Sequence, residues 1–446
     1  MKNDFHSQRI SYLKFILSSS KMVRDPIGFY QQMFSKFGNN FSVSPPFDSP
    51  IVFTKDSAIA KHVLIKSYNY YEKSKLQTLF LSKYIGNGLL TSTGSYWLKQ
   101  RRLIQPMFYK GQLDELTSNL HRIIQDEISK IPTDSYVDLY EIMNNLAFQV
   151  IIKTIFSHTG NTYELKRLQK MIPLLQRFIS KNLRQPHKRP WFYINGEYSN
   201  AMKLAYESRN IIREIINHRR SKGKRYFDLL DMLIHCKYED GTYMDNEQLI
   251  DETMILFLAG HETTASALSF TLFLLANNKD ELNRAQKYSF CVKENVNIKD
   301  QIDNLFYVQN CIEESMRLYP PGWFTDRKAL HDDVIEGVHI KKGTYFGISI
   351  FEIHRNNQYW DEPEKFDPNR FSKLQRKKNL NHYMPFGAGP RLCIGNNFAM
   401  YEMILAINAI INIFDVKTSK STLTLEPLIS LRPGPIKMIF TKRDPK

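Results

Sequence analysis

The sequence predicts a mainly α-helical fold with small β-sheets. Apolar residues recur at helical spacing through most of the chain, and strand-like runs are few and short. No internal repeat or low-complexity linker divides it, so residues 1–446 read as one domain, although length alone would permit two or three. With 42 % hydrophobic residues and 13 % aromatics there is material for a large core, which argues against disorder.

The opening "MKNDFHSQRISYLKFILSSSKMVRDP" has no apolar run long enough for a signal peptide or membrane anchor, because "YLKFIL" is short and broken by Lys14. A soluble, cytoplasmic protein without a membrane anchor is expected. "NNFSVSP" and "PIVFTK" read as early strands; "QLDELTSNLHRIIQDEISKI" and "ESRNIIREIINHRRS" read as amphipathic helices. "RQPHKRPWFYING" and "DEPEKFDPNRF" are turn-rich. "GVHIKKGTYFGISI" reads as strands around a "KKG" hairpin turn, and "PIKMIFTK" as a last strand.

The net charge is +16. Its basic residues are spread out and no nucleic-acid motif accompanies them, so nucleic acid is not an expected partner. A lysine-rich solvated surface accounts for most of the charge; an acidic protein partner is the sharper option. Of the four cysteines, Cys236, Cys291, Cys311 and Cys393, none forms a CxxC pair, so a zinc ribbon, a dithiol motif and c-type haem attachment are unsupported.

Asp245 to Asn278 reads as one long helix, with Asp245 as N-cap and a length of about 50 Å at 1.5 Å per residue. Apolar on nearly all sides, it belongs in the core; in a membrane His261 and Glu262 would be costly. Its middle is "AGHETT". Gly260 costs helix stability and needs a packing or functional reason, and Thr263 and Thr264 can bond back to carbonyls. That reads either as a groove carrying an acid and hydroxyls or as a relieved helix crossing. HExxH is excluded because Ala265 stands where a second histidine is needed.

In "CIEESMRLYPP", Glu314 and Arg317 share a helical face that ends at Pro320 and Pro321. Their apolar neighbours suggest burial, and a buried guanidinium needs further acceptors. Trp97 and Arg101 also share a face and could hold a carboxylate or phosphate, although ordinary packing explains them as well. In "FGAGPRLCIG", Gly387 and Gly389 allow a tight turn and Cys393 precedes the buried helix "GNNFAMYEMILAINAIINIF". A thiolate beside free helix N–H groups is a metal ligand or a nucleophile. No Cys-His signature supports the nucleophile, and a haem iron needs only one protein sulfur.

Together these stretches resemble the cytochrome P450 family. Phe386-x-x-Gly389-x-Arg391-x-Cys393-x-Gly395 is similar to its haem-ligand loop, and "AGHETT" resembles its oxygen-binding helix. Glu314-x-x-Arg317 resembles the ExxR helix, "FDPNRF" the segment supplying a second arginine, and Trp97-x-x-x-Arg101 the propionate-binding helix. All occur in the family's order. Asn369 departs from the glutamate many members carry.

The resemblance implies a P450 fold, with a long central helix over a thiolate-ligated haem b. It implies that Cys393 is the axial ligand and that Glu262 and Thr263 relay protons to O2. Trp97, Arg101, Arg391 and Arg327 would hold the propionates; Phe386 would shield the sulfur; Ala259, Gly260 and Gly395 would lie against the haem. Glu314, Arg317 and Arg370 would form a buried structural triad. Leu89, Leu90, Phe257 and Leu258 would line the substrate pocket, joined by Gly322, Trp323, Phe324 and Ile429.

The implied activity is monooxygenation, with electrons from NAD(P)H through a separate ferredoxin or flavodoxin and its reductase. The basic cluster "KLQRKKN" would face that partner. Apolar walls suit hydroxylation of a fatty acid or terpenoid. O-demethylation of a small methylated compound such as a methyl sugar, and peroxide-dependent peroxygenation, are the alternatives. Basic residues of "KNLRQPHKRPWFYING", near the access lid, could attract an acidic substrate. A haem sensor without turnover need not keep Glu262 and Thr263, and a non-haem helical binding protein would carry no haem.

Overall fold

The computed structural model describes residues 9–46, 48–109, 120–157, 162–226, 228–289, 298–419 and 421–443. Cys291 and the first part of the helix expected from Gln112 lie outside them; the remainder of that helix is Leu120–Ile128.

Helices dominate and the sheets are small. The central helix runs from Asn246 to Asn277, and the Asp245 side chain caps it by accepting from the Gln248 N–H. It packs along the helix Leu139–Phe156 and against the helices Glu197–Lys222, Phe306–Leu318 and Asn396–Ile413. Its two halves belong to different apolar cores. Leu249–Leu258 joins the core built with Phe148, Ile179 and Ile212. Ala265–Leu275 joins the core built with Val308, Ile312 and Ile407. The polar and small residues of "AGHETT" fall at the seam between the two.

The largest sheet has six strands, ordered Arg9–Ile10, Asn40–Val43, Ile51–Thr54, Tyr345–Ser349, Phe324–Ala329 and Tyr71–Glu72. The expected "KKG" hairpin is not formed. Val338–Ile340 pairs instead with Asp333–Ile335 across Glu336 and Gly337, both at positive φ, a geometry that suits a tight hairpin turn. Tyr345–Ser349 inserts between Ile51–Thr54 and Phe324–Ala329, because its run from Phe346 to Ser349 is buried and needs neighbours on both edges. The other correction concerns "RQPHKRPWFYING": rather than turns alone, it contains the helix Arg189–Ile194, opened by Pro190 in its first turn.

Two pairings position the site. Tyr71 opposite Ala329 and Glu72 opposite Lys328 bring Lys73 towards Arg327. Near the C-terminus, Leu425–Pro427 and Leu431–Pro433 form a hairpin with Glu426 opposite Arg432, and this hairpin lies against the central helix.

Candidate active site

The central helix is buried along most of its length, but Ala259, Gly260 and Thr263 retain accessible surface at its middle. They mark an interior hollow at the seam of the two cores. Thr263 Oγ1 donates to Ala259 O at 2.8 Å and Thr264 Oγ1 to Gly260 O at 2.9 Å, so both hydroxyls fold back while the helix stays continuous. Gly260 has a packing reason. A Cβ there would lie 2.5 Å from Ile151 Cδ1 of the helix Leu139–Phe156.

Glu262 is buried, and its Oε1 has no hydrogen-bond partner. Burial pushes its carboxyl above the usual range; Arg432, Gln176 and Ser430 pull the other way. Arg432 is itself fixed by Glu426, with Nε to Oε2 at 2.8 Å, and lies 5.7 Å from the Tyr140 ring. A half-exposed acid, a buried guanidinium and a buried acid thus lead inward from the hairpin to the hollow.

Cys393 sits at the end of a tightly folded loop. Its N–H donates to Phe386 O at 2.9 Å, Gly387 N–H to Met384 O at 3.0 Å, and Leu392 N–H to Gly389 O at 2.9 Å. Gly387 and Gly389 have φ of +75° and +69°. A Cβ on Gly389 would collide with Leu64 O, so glycine is required twice over there. The sulfur is accessible, yet burial raises its pKa, while the Gly395 N–H and the Arg101 charge lower it. Accessible surface with that desolvation describes a thiol facing an interior hollow, not the outer surface. The other described cysteines differ: Cys311 is fully buried, and burial takes the Cys236 thiol to about 11.

Beside the loop lies a cluster of cations. The Arg391 guanidinium stacks 3.8 Å from the Trp97 ring centroid and donates to Ser92 O at 2.9 Å. Arg101 donates to Leu392 O at 2.9 Å. Arg327 donates to Asp326 O at 2.6 Å. Lys73, which no sequence pattern singled out, donates to Leu90 O at 2.6 Å. Burial and mutual repulsion bring Arg391 down to about 9, with Arg327 and Arg101 the repelling charges. Burial, then Arg327 and Arg391, take Lys73 to about 7. Asp326 and Glu72 are the acids that oppose them. Such a cluster matches a ligand with paired carboxylates, because two added negative charges would offset the mutual repulsion that lowers Arg391 and Lys73.

Away from the hollow, Arg317 is fully saturated. It pairs with Glu314 through Nε at 2.7 Å and Nη2 at 2.8 Å, and reaches His354 O, Pro363 O and Lys365 O. Arg370 Nε reaches Glu314 Oε1 at 3.3 Å. Asn369 accepts from Arg284 at 3.1 Å.

The expected pocket residues divide. Leu90, Phe257, Leu258 and Ile429 share one apolar cluster. Leu89 is held by its N–H on Glu252 Oε2 at 3.0 Å. Trp323 and Phe324 belong to a separate aromatic cluster with Tyr30 and Phe53, and Trp323 Nε1 donates to Leu428 O at 3.3 Å. Gly322 packs under Pro385 O, where a Cβ would approach to 3.3 Å.

Among the described residues no three His, Cys, Asp or Glu side chains gather as a metal site, and no helix is long and apolar enough to cross a membrane. A metal here would have to arrive carrying its other ligands. An accessible thiol with an N–H and a cation beside it, next to a cluster that wants two carboxylates, is the donor set a dicarboxylate metallomacrocycle such as haem needs.

Comparison with known proteins agrees. The chain is 28 % identical over 413 residues to the cytokinin hydroxylase of Arabidopsis thaliana, covering 88 % of this chain and 78 % of that protein. It is 29 % identical over 397 residues to leukotriene-B4 omega-hydroxylase 3 of Mus musculus, covering 80 % and 74 %. The crystal structure of the cytochrome P450DA haem domain shares the fold, with a TM-score of 0.82 at 21 % identity, covering 94 % of this chain and 93 % of that one. The family model "Cytochrome P450" matches residues 11–440, so the chain belongs to the cytochrome P450 family and is a monooxygenase of that family.

Proposed function

We propose that residues 1–446 act as one haem-thiolate domain that hydroxylates a hydrophobic organic substrate, with Cys393 as the residue that would hold the haem iron. The observation that carries this reading is Arg101. It bonds the carbonyl beside Cys393, shares charge with the sulfur, and belongs to the buried cation cluster. One residue therefore joins the thiol to the site for paired carboxylates.

Haem b, when bound, would supply activation of O2 for insertion of one oxygen atom into a C–H bond. The chain's own groups do the rest. Cys393 would hold the iron, its charge supported by the Gly395 N–H and Arg101. Trp97, Arg101, Arg391, Arg327 and Lys73 would hold the propionates. Phe386 and Gly395 would pack beside the sulfur, and Ala259 and Gly260 would leave room above. Glu262 would exchange protons towards the hollow, and Thr263 would pass them on when its hydroxyl turns away from Ala259 O. Glu314, Arg317 and Arg370 would brace the fold behind the ligand loop.

The substrate would lie along Leu90, Phe257, Leu258 and Ile429, with Leu89 at the loop and Gly322, Trp323 and Phe324 behind. Hydroxylation of a fatty acid or terpenoid suits those walls. The retained Glu262 and Thr263 favour electron-driven turnover over peroxygenation, and the apolar walls favour hydroxylation of a hydrophobe over O-demethylation of a methyl sugar. Electrons would come from NAD(P)H through a ferredoxin or flavodoxin in the cytoplasm. Lys373, Lys377 and Lys378 are exposed for such a partner, whereas Arg376 is engaged by Glu313 at 2.5 and 2.6 Å.

The test is the absorption spectrum of the purified, reduced protein under carbon monoxide. A strongly red-shifted Soret band that Cys393→Ala abolishes is expected. A band that survives Cys393→Ala overturns the ligand assignment. Thr263→Ala should keep that band but divert electrons to peroxide instead of product, and full coupling would remove Thr263 from the relay.

A further inference from the structure

Leu89 and Leu90, assigned above to the substrate pocket, sit on a short loop that the central helix holds by its backbone. Asn87 N–H donates to Asp251 Oδ2 at 2.7 Å and Leu89 N–H to Glu252 Oε2 at 3.0 Å. Thr91 closes the loop on itself: its Oγ1 donates to Gly86 O at 2.7 Å and accepts from Gly88 N–H at 3.1 Å. Lys73 holds the far end through Leu90 O. A Cβ on Gly88 would lie 2.7 Å from Glu252 Oε2 and 2.9 Å from Ile255 Cδ1, so loop and helix are in direct contact.

Two neighbouring acids are a costly means of holding two amides. Asp251 is compensated: it pairs with Arg209 of the helix Glu197–Lys222, which also reaches Glu247 at 2.8 Å. Glu252 is not. It is fully buried, and its partners are the Gln248 amide at 2.8 Å and the Leu89 N–H. The titratable groups facing it are Asp251 beside it, Tyr96 on the helix Gly94–Ile104, and Tyr238, none of them a cation. A neutral acceptor would satisfy the same N–H, so simple anchoring does not account for an acid here. What the acid adds is a bond to the loop that strengthens when the carboxyl is charged.

We propose that Asp251 and Glu252 are positioning residues that clamp the loop Gly86–Leu90 to the central helix and so set the bulk of ligand that fits beside Leu89 and Leu90. This rests on the pocket reading above. About two helical turns separate Glu252 from Ala259, and Leu90 packs on the apolar cluster of Phe257 and Leu258. A loop that moves off the helix therefore widens the edge of that cluster nearest the hollow.

The test uses the reduced, haem-loaded protein and two uncharged iron ligands of unequal bulk, ethyl isocyanide and 1-adamantyl isocyanide. Absorption titrations at pH 6 and pH 8 give the affinity ratio, small over large. Glu252→Leu should lower that ratio about 10-fold or more at pH 8, the size of a lost hydrogen bond to a charged group. Gly88→Ala, which pushes the loop away with both acids in place, should lower it too. Asp251→Asn, which keeps an acceptor for Asn87 but loses Arg209, should move it less. Burial and Asp251 raise Glu252 to about 7, so it charges between the two pH values and the wild-type ratio should be higher at pH 8. Glu252→Gln still offers an oxygen to Leu89, so it should keep a clamped ratio that no longer changes with pH. A ratio unmoved by Glu252→Leu or by Gly88→Ala, or a pH dependence that survives Glu252→Gln, overturns the proposal. The carbon monoxide spectrum of the same samples separates the two readings. An intact red-shifted band with an unmoved ratio sinks the clamp alone, whereas absence of the band removes both.

Discussion

The two sides of the ligand loop treat buried charge in opposite ways. Behind it, Arg317 is saturated by Glu314 and three carbonyls, and Glu314 also accepts from the Asp367 N–H and Arg370. Around the hollow, charged groups are left short. Glu262 has an unpartnered oxygen, and Lys73 and Arg391 repel each other. Saturation gives a rigid frame. Shortage in the interior costs stability, and it persists where a ligand completes the set.

Breaking the saturated side should have the largest effect. Arg317→Leu removes the nearest cation from buried Glu314, leaving it Arg370 and the Asp367 N–H, and strips three carbonyls of their donor, which should cost about 3–5 kcal/mol. Soluble expression and the thermal midpoint report it; a midpoint close to wild type would show that the network is dispensable. Gly389→Ala comes next. Positive φ and the approach of Leu64 O together should cost roughly 2 kcal/mol or more and reduce haem retention, measured as haem per protein.

Smaller effects come from the short-handed side. Glu252 is buried, with Gln248 and the Leu89 N–H on its oxygens, and burial raises it to about 7, with Asp251 adding to the rise. An acid raised on folding favours the folded state most below its unfolded pKa and loses that contribution as pH rises towards 7. Glu252→Gln should therefore gain about 1–3 kcal/mol over the wild type at pH 8 and little at pH 5. Unfolding curves at the two pH values check the sign, and a pH-independent difference would contradict it. Lys73→Met is the mildest change. It should weaken haem retention about 10-fold or less without altering the fold, because Arg391, Arg101 and Arg327 remain.

The saturated side was largely legible from sequence. Glu314 and Arg317 are three residues apart on one helix, and the glycine and cysteine spacing of Phe386–Gly395 is local. The central helix announced its cap at Asp245 and its core character by composition. The shortages were not legible, because their members meet only after folding. Lys73 meets Arg391 through the pairing of Tyr71 with Ala329, and Arg432 meets Glu262 through a hairpin laid on the central helix. No spacing encodes those contacts. The "KKG" misreading has the same cause: the turn chemistry was local and visible, but the strand partner was set by the buried run from Phe346 to Ser349.

The contrast is tested most directly at Glu262, by the thermal unfolding midpoint of haem-loaded Glu262→Gln beside the wild type at pH 7. If the acid is a functional group held at a cost, removing its charge should leave the midpoint unchanged or raise it. A fall of more than about 5 °C, the mark of a lost structural partner, would contradict the account and place Glu262 with Arg317 on the structural side.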